Sequence, residues 1–323
     1  MRPMAKPLSG FRAALLIGWM TLCVAGFLYA RIKGIPGWAA LPALAAFLVD
    51  YPFYLVPAFP AVRERVGAVR LPFFVVASAV LPYLACCCGA IPFRWMALGQ
   101  LMALALALGL WFFALPAHPL VDAGFLVMVA WVLLGGYFDG IYPKPYPGVD
   151  LAFLGKLAVV QIVVMTLMLG RRVPETGYGF LPTAREWRIG LLHFAYFALI
   201  GFPVALAIKA VRFDKPDPIW AIAATFLGIL WVVSLWEEFL VRGVLQPWME
   251  KWTGSRAAGL WITSAIFGLV HLWFRHQFPN WRWVLVAAIL GWFCGRARNQ
   301  SGGIRAGMVT HALVVTVWRA FFA

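Results

Sequence analysis

Long runs of hydrophobic positions, separated by short polar segments, dominate the chain. A transmembrane helix needs about 20 predominantly apolar residues, and eleven runs approach or exceed that length. They lie near residues 11–30, 38–62, 71–92, 96–117, 119–138, 151–170, 189–210, 219–248, 256–274, 282–297 and 304–322. The pattern predicts an all-α fold, a polytopic membrane helical bundle with about 10–11 transmembrane helices.

The polar stretch 171–188 divides the chain. The runs before it carry few charges, whereas the runs after it contain polar residues within predicted helices. This change predicts accessory N-terminal transmembrane helices in residues 1–180 and a working half in residues 181–323. The first run, from Phe11 to Ala30, follows a basic segment and is long enough to be a retained signal anchor.

Composition supports a membrane environment. The chain is 63% hydrophobic and 12% charged, with a mean hydropathy of +0.85, whereas a soluble domain is about 25% charged. The net charge of +15 comes mostly from basic residues between runs, as in loops that set topology and meet lipid headgroups. We therefore expect no nucleic-acid partner, a multi-pass protein of the plasma or inner membrane, and a cytoplasmic N-terminus.

The five cysteines lie in apolar segments. Because none has zinc-finger or redox spacing, we interpret them as small buried hydrophobic residues. Asp50, inside the second run, is interpreted either as interfacial or as lining a cavity.

Glu237 and Glu238 follow a run of about eighteen residues without a charge in the C-terminal half. A charge at the centre of a span costs about 2.5–3.5 kcal/mol, so such residues usually have a function or a specific partner. Arg242 lies four residues after Glu238, so the two side chains can pair on one helix face. Glu237 points about 100° away from Glu238. A structural ion pair explains Glu238 and Arg242, but it leaves Glu237 unexplained.

Two histidines lie in later runs. His271 follows Phe267 by four residues, and His311 is in the last run. Either histidine alone is more often a satisfied core residue than a catalyst. Together with the carboxylates, they form the minimum set for activating a water molecule and stabilising an oxyanion.

These motifs resemble a known family. EEFLVR, FGLVH and the final histidine are similar, in order, to the motifs EExxxR, FxxxH and HxxxN of the CPBP family. This family of intramembrane glutamic proteases includes the CAAX prenyl proteases of the Rce1 type and bacteriocin-processing members. The resemblance covers roughly residues 176–323, and it implies a CPBP-type intramembrane protease domain in residues 181–323.

The resemblance also implies roles for individual residues. Glu237 is implied to activate water with help from His271, and Arg242 to position Glu238. Phe267 is implied to pack beside the site, and His311 to donate a hydrogen bond to the oxyanion. No cofactor is implied.

Val315 departs from the family pattern, which has Asn or Asp four residues after the last histidine. Valine forms no side-chain hydrogen bond, so three alternatives follow. His311 works alone, Thr316 substitutes for the missing residue, or activity is reduced or lost.

The leading interpretation is an endopeptidase for a membrane-associated peptide or protein, such as a lipidated C-terminus, a leader or a sorting helix. The alternative is a catalytically impaired scaffold, maturation or immunity factor, for which Val315 is the main support. Proton-coupled transport ranks last, because no repeat halves are visible. A zinc site ranks below the glutamic mechanism, because the chain has no HExxH motif. The sequence does not indicate an oligomeric state.

Overall fold

The computed structural model describes residues 8–116, 118–174, 176–273 and 281–322. These residues form twelve helices and no strand. In chain order, α1 to α12 are Leu8–Lys33, Gly37–Leu55, Pro60–Cys87, Trp95–Gly109, Trp111–Ala114, Pro119–Leu134, Ala152–Gly170, Ala184–Ala207, Ile219–Thr253, Arg256–Val270, Trp281–Ser301 and Arg305–Phe321. Each predicted apolar run corresponds to one helix, and the additional helix is the single turn α5.

Six helices in the described part of the chain are long and apolar enough to cross a membrane: α1, α2, α3, α7, α8 and α9. Helices α4, α6 and α10 are apolar but contain only 15 or 16 residues. At a rise of 1.5 Å per residue they reach about 22–24 Å, less than the roughly 30 Å of a bilayer core. The protein is therefore an all-α, multi-pass integral membrane protein, and crossing by the remaining helices stays a prediction.

The chain divides into two compact units, Met1–Pro174 and Glu175–Ala323. In the first unit, Asp50 is buried, and Gln161 Nε2 donates to both of its carboxylate oxygens at 2.9 and 3.0 Å. The side chain of Asp50 therefore belongs to the packed interior of this unit, and both interpretations of its place in the membrane stay predictions.

The second unit contains α8 to α12. Thr183 caps the start of α8 together with Glu186, a reciprocal arrangement that satisfies otherwise unpaired backbone donors. Glu186 also forms an ion pair with Arg305 at 3.0 Å, and this pair joins the starts of α8 and α12. The division predicted at residue 180 falls within this unit, just before α8.

Helix α9 has an irregular centre. Two π-helical segments, Ile229–Ser234 and Phe239–Leu245, flank the short α-helical segment Leu235–Glu238. Wider π turns of this kind occur frequently at functional sites. The two glutamates therefore lie on a short α-helical turn between two π-helical segments.

Candidate functional site

Five of the six residues singled out in the sequence lie on three helices of the second unit, and the sixth lies in a turn beside one of them. Helix α9 supplies Glu237, Glu238 and Arg242, α10 supplies Phe267, and α12 supplies His311. His271 begins the 3-10 turn that directly follows α10.

Glu238 is the centre of the site and is fully buried. Its Oε1 atom lies 3.2 Å from a terminal nitrogen of Arg242, the pair that the sequence spacing predicts. The same oxygen lies 2.9 Å from Nδ1 of His311. Because a carboxylate accepts hydrogen bonds, Nδ1 of His311 carries the proton in this contact, and the ring is oriented with Nε2 away from Glu238.

Arg242 is also fully buried. It donates a hydrogen bond to the carbonyl oxygen of Gly291 at 2.9 Å. Its guanidinium carbon lies 4.5 Å from the centre of the Phe267 ring, a distance at which a cation is attracted to an aromatic face. These contacts fix the cation that neutralises Glu238.

Glu237 occupies different surroundings. Its side chain is 24% exposed, and its Oε2 atom lies 3.8 Å from Nε2 of His311. This distance is too long for a direct hydrogen bond, and a polar gap of this size suits a bridging water. Of the two adjacent glutamates, Glu238 is thus held by its partners, and Glu237 is accessible.

Phe267 packs between the two histidines. Its ring centre lies 4.9 Å from that of His271 and 5.8 Å from that of His311, both edge-to-face. His271 Nδ1 lies 2.7 Å from the carbonyl oxygen of Phe267, so this nitrogen donates, and Nε2 is the ring's acceptor when the ring is neutral. The joint action of His271 with Glu237 stays a prediction, whereas His311 lies beside Glu237 in the structure.

Val315 is partly buried and packs against an apolar cluster that includes Phe267. Thr316 is buried as well, and its hydroxyl has no hydrogen-bond partner among the described residues. On an α-helix, Val315 points about 40° from His311, whereas Thr316 points about 140° away. Thr316 therefore lies away from the His311 face of the helix, and its substitution for the missing Asn or Asp stays a prediction.

Sequence reasoning missed Cys294 and Gly307. The buried Sγ atom of Cys294 lies with ligand atoms of Glu238 and His311 in a group spanning no more than 4.8 Å. A Cβ atom on Gly307 would lie only 2.7 Å from Oε2 of Glu238. Gly307 precedes His311 by four residues and so shares its helix face, which is the sequence signal that identifies it.

The group formed by Glu238, Cys294 and His311 offers the ligand types that zinc prefers. However, the oxygen of Glu238 that faces His311 also faces Arg242. A metal ion there would lie beside a buried guanidinium and compete with it for the same carboxylate. The donor set therefore suits an ion pair with an imidazole better than it suits a metal.

One known protein family matches the part of the chain that contains this site. Residues 218–317 match the family model described as type II CAAX prenyl endopeptidase, Rce1-like. No curated protein and no solved structure matches the chain. The matched segment contains all six residues singled out above, and its family is one of membrane proteases. Residues 218–317 are therefore similar to the Rce1-like proteases of the CPBP family, the resemblance that the sequence motifs indicated.

Proposed function

We propose that the protein is a membrane-embedded endopeptidase that hydrolyses a peptide bond with a water molecule activated by glutamate and histidine. The observation that carries this proposal is the unequal placement of the two adjacent carboxylates. Glu238 is buried between Arg242 and His311, whereas Glu237 is accessible and faces Nε2 of His311.

Glu237 is the general base in this mechanism. Its carboxylate takes a proton from the water, and the resulting hydroxide attacks the carbonyl carbon of the scissile peptide bond. Glu237 then returns the proton to the departing amine nitrogen. His271 helps to hold the water, a role that rests on the resemblance to the family.

His311 stabilises the oxyanion of the tetrahedral intermediate. The buried carboxylate of Glu238 accepts from Nδ1 and so orients the ring. The doubly protonated ring is the form that acts in this step, because only that form also carries a proton on Nε2 to donate to the oxyanion. This use of a carboxylate to orient an imidazole is the same as in Ser-His-Asp enzymes. Arg242 holds the Glu238 carboxylate in place through their ion pair.

The substrate is a membrane-associated peptide or protein. A lipidated C-terminus is the class closest to the family description, and a leader or a sorting helix is the alternative. We place the protein in the plasma or inner membrane. Residues 1–180 are proposed to be accessory helices that contribute to substrate choice.

A second candidate is a scaffold or immunity factor of the same family. The apolar Val315 favours it, because the family pattern has a hydrogen-bonding residue there. Against it stand the buried pair of Glu238 with Arg242 and the accessible Glu237, which a scaffold does not require.

The test compares terminal peptides of membrane proteins from cells that express the wild type or Glu237→Gln at equal levels. The matched control is Glu250→Gln, in the same helix but in a separate ion pair with Arg298. A membrane protein that remains uncut only with Glu237→Gln supports the protease and names its substrate. Identical terminal peptides for all three, with each protein folded, favour the scaffold.

A further inference from the structure

A cleft lies between α8 and α11 of the second unit. Its volume is about 380 Å³, and its walls are largely apolar. Tyr196, Leu199 and Ile200 line it on α8, and Trp292 and Phe293 line it on α11. The six candidate catalytic residues do not belong to this lining, so the cleft is distinct from the proposed active site.

One end of the cleft is polar and basic. His193 and Arg296 line this end, and His193 Nε2 lies 3.1 Å from the side-chain oxygen of Gln300. Arg185, at the start of α8, donates to the backbone carbonyl of Gln300 at 3.2 Å. The start of α8 and the end of α11 therefore meet here.

Two arginines near the start of α8 extend the polar end of the cleft. Arg185 precedes Tyr196 by eleven residues, and Arg188 precedes Leu199 by eleven, so each shares a face with a residue of the apolar wall. Both arginines are exposed. The apolar wall of the cleft is thus followed, toward the start of α8, by a cluster of Arg185, Arg188 and Arg296, which we call the basic end.

Arg296 is the member of the basic end that lines the cleft. It is exposed, and its guanidinium lies 5.6 Å from the centre of the Trp292 ring. No carboxylate in the described residues forms an ion pair with it. Arg298, only two residues later, pairs with Glu250 at 3.1 Å. Arg296 is therefore an uncompensated cation beside an apolar surface.

We propose that this cleft binds an anionic phospholipid. The phosphate contacts Arg296 and the neighbouring arginines, and an acyl chain lies along Leu199 and Ile200. Basic pockets between transmembrane helices on the cytoplasmic side bind anionic headgroups in this way. Charge complementarity with Arg296 selects an anionic lipid over a zwitterionic one.

The surrounding charges agree with this assignment. Gln246 and Glu250 of α9 contact Asn299 and Arg298, so the end of α9 lies at the same end of the unit. Lys251 and Arg256 follow there in sequence. An excess of basic residues is typical of the cytoplasmic side of a membrane protein, and that leaflet holds anionic lipids.

The test uses the full chain in detergent micelles. Native mass spectrometry follows the titration of palmitoyl-oleoyl phosphatidylglycerol and of the matching phosphatidylcholine. Arg296→Ala is expected to weaken phosphatidylglycerol binding about fivefold, the effect of one basic residue near an anionic lipid, and to leave phosphatidylcholine unchanged. Arg296→Lys retains the charge and is expected to restore most of the binding.

Two further variants distinguish lipid binding at this cleft from general electrostatic attraction between the lipid and a basic protein. Arg256→Ala removes the same charge from an exposed position on α10 and is expected to have no effect. Ile200→Trp adds bulk to the apolar wall of the cleft. It is expected to weaken phosphatidylglycerol binding although every arginine is retained. Equal losses for Arg296→Ala and Arg256→Ala would refute a specific site.

Inorganic phosphate distinguishes the lipid from its headgroup alone. We expect millimolar phosphate to leave the bound phosphatidylglycerol in place, because the acyl chain contributes to binding. Displacement by phosphate, with no effect of Ile200→Trp, would show an anion site only and would overturn the lipid proposal.

Discussion

The buried ion pair between Glu238 and Arg242 gives the sharpest prediction about the site. Replacing Arg242 with Met keeps a side chain of similar length and removes the cation. The carboxylate of Glu238, fully buried, then keeps the hydrogen bond from His311 but loses its opposite charge. Removing one member of a buried pair typically costs about 3–5 kcal/mol. We expect Arg242→Met to lower the free energy of unfolding by this amount.

A double-mutant cycle isolates the pair. Glu238→Gln together with Arg242→Met removes both charges, so the double variant is expected to be more stable than Arg242→Met alone. Activity is not expected to return, because the amide that replaces the Glu238 carboxylate is a weaker hydrogen-bond acceptor for Nδ1 of His311 and orients the ring less firmly. The assay is equilibrium unfolding of the full chain in mixed micelles, with proteolytic turnover measured on the same samples.

The matched control is Arg298→Met. The side chains of Arg298 and Glu250 are 23% and 17% exposed, whereas those of Arg242 and Glu238 are 1% and 0% exposed. A more exposed pair contributes about 0–1 kcal/mol, so the control should change stability little. Equal decreases in the free energy of unfolding for Arg242→Met and Arg298→Met would refute the claim that the buried Arg242 stabilises the charge of Glu238.

The remaining predictions concern the groups around this pair. His271→Ala is expected to abolish cleavage without preventing membrane insertion; retained turnover would remove His271 from the mechanism. His311→Ala should lower the rate about 10²–10³-fold through loss of an oxyanion donor, measured as kcat, and an unchanged kcat would contradict that role. Val315→Asn should leave turnover unchanged or raise it; a large loss in a folded protein would show that the position serves packing alone. Gly307→Ala places a Cβ 2.7 Å from Glu238 and should cost about 1–3 kcal/mol of stability, whereas wild-type stability would show that α12 shifts freely.

Much of the fold followed from local properties of the sequence. Hydrophobic runs identified the helices, because each transmembrane helix must supply its own apolar surface and satisfy its own backbone. The lengths of the shorter helices were not predicted, because an apolar loop and an apolar helix end look alike in composition. Trp95–Gly109, for example, ends several residues before its apolar run does.

The site was predictable where its contacts are local. The pair of Glu238 with Arg242 follows from a four-residue spacing on one helix. The contact of His311 with Glu238 depends on how α12 packs against α9, and no pattern along the chain encodes that distance. Cys294 was interpreted as a small apolar residue because its neighbours in sequence are apolar, although its neighbours in space include Glu238 and His311.

The central claim is that Glu237 activates the water that cuts the peptide bond. The most direct measurement is the hydrolysis, in water enriched in ¹⁸O, of the substrate identified from terminal peptides, by purified wild type and by Glu237→Gln. The account predicts that the wild-type product carries one ¹⁸O in its new carboxylate and that folded Glu237→Gln yields no product. Turnover by Glu237→Gln at the wild-type rate would contradict the account.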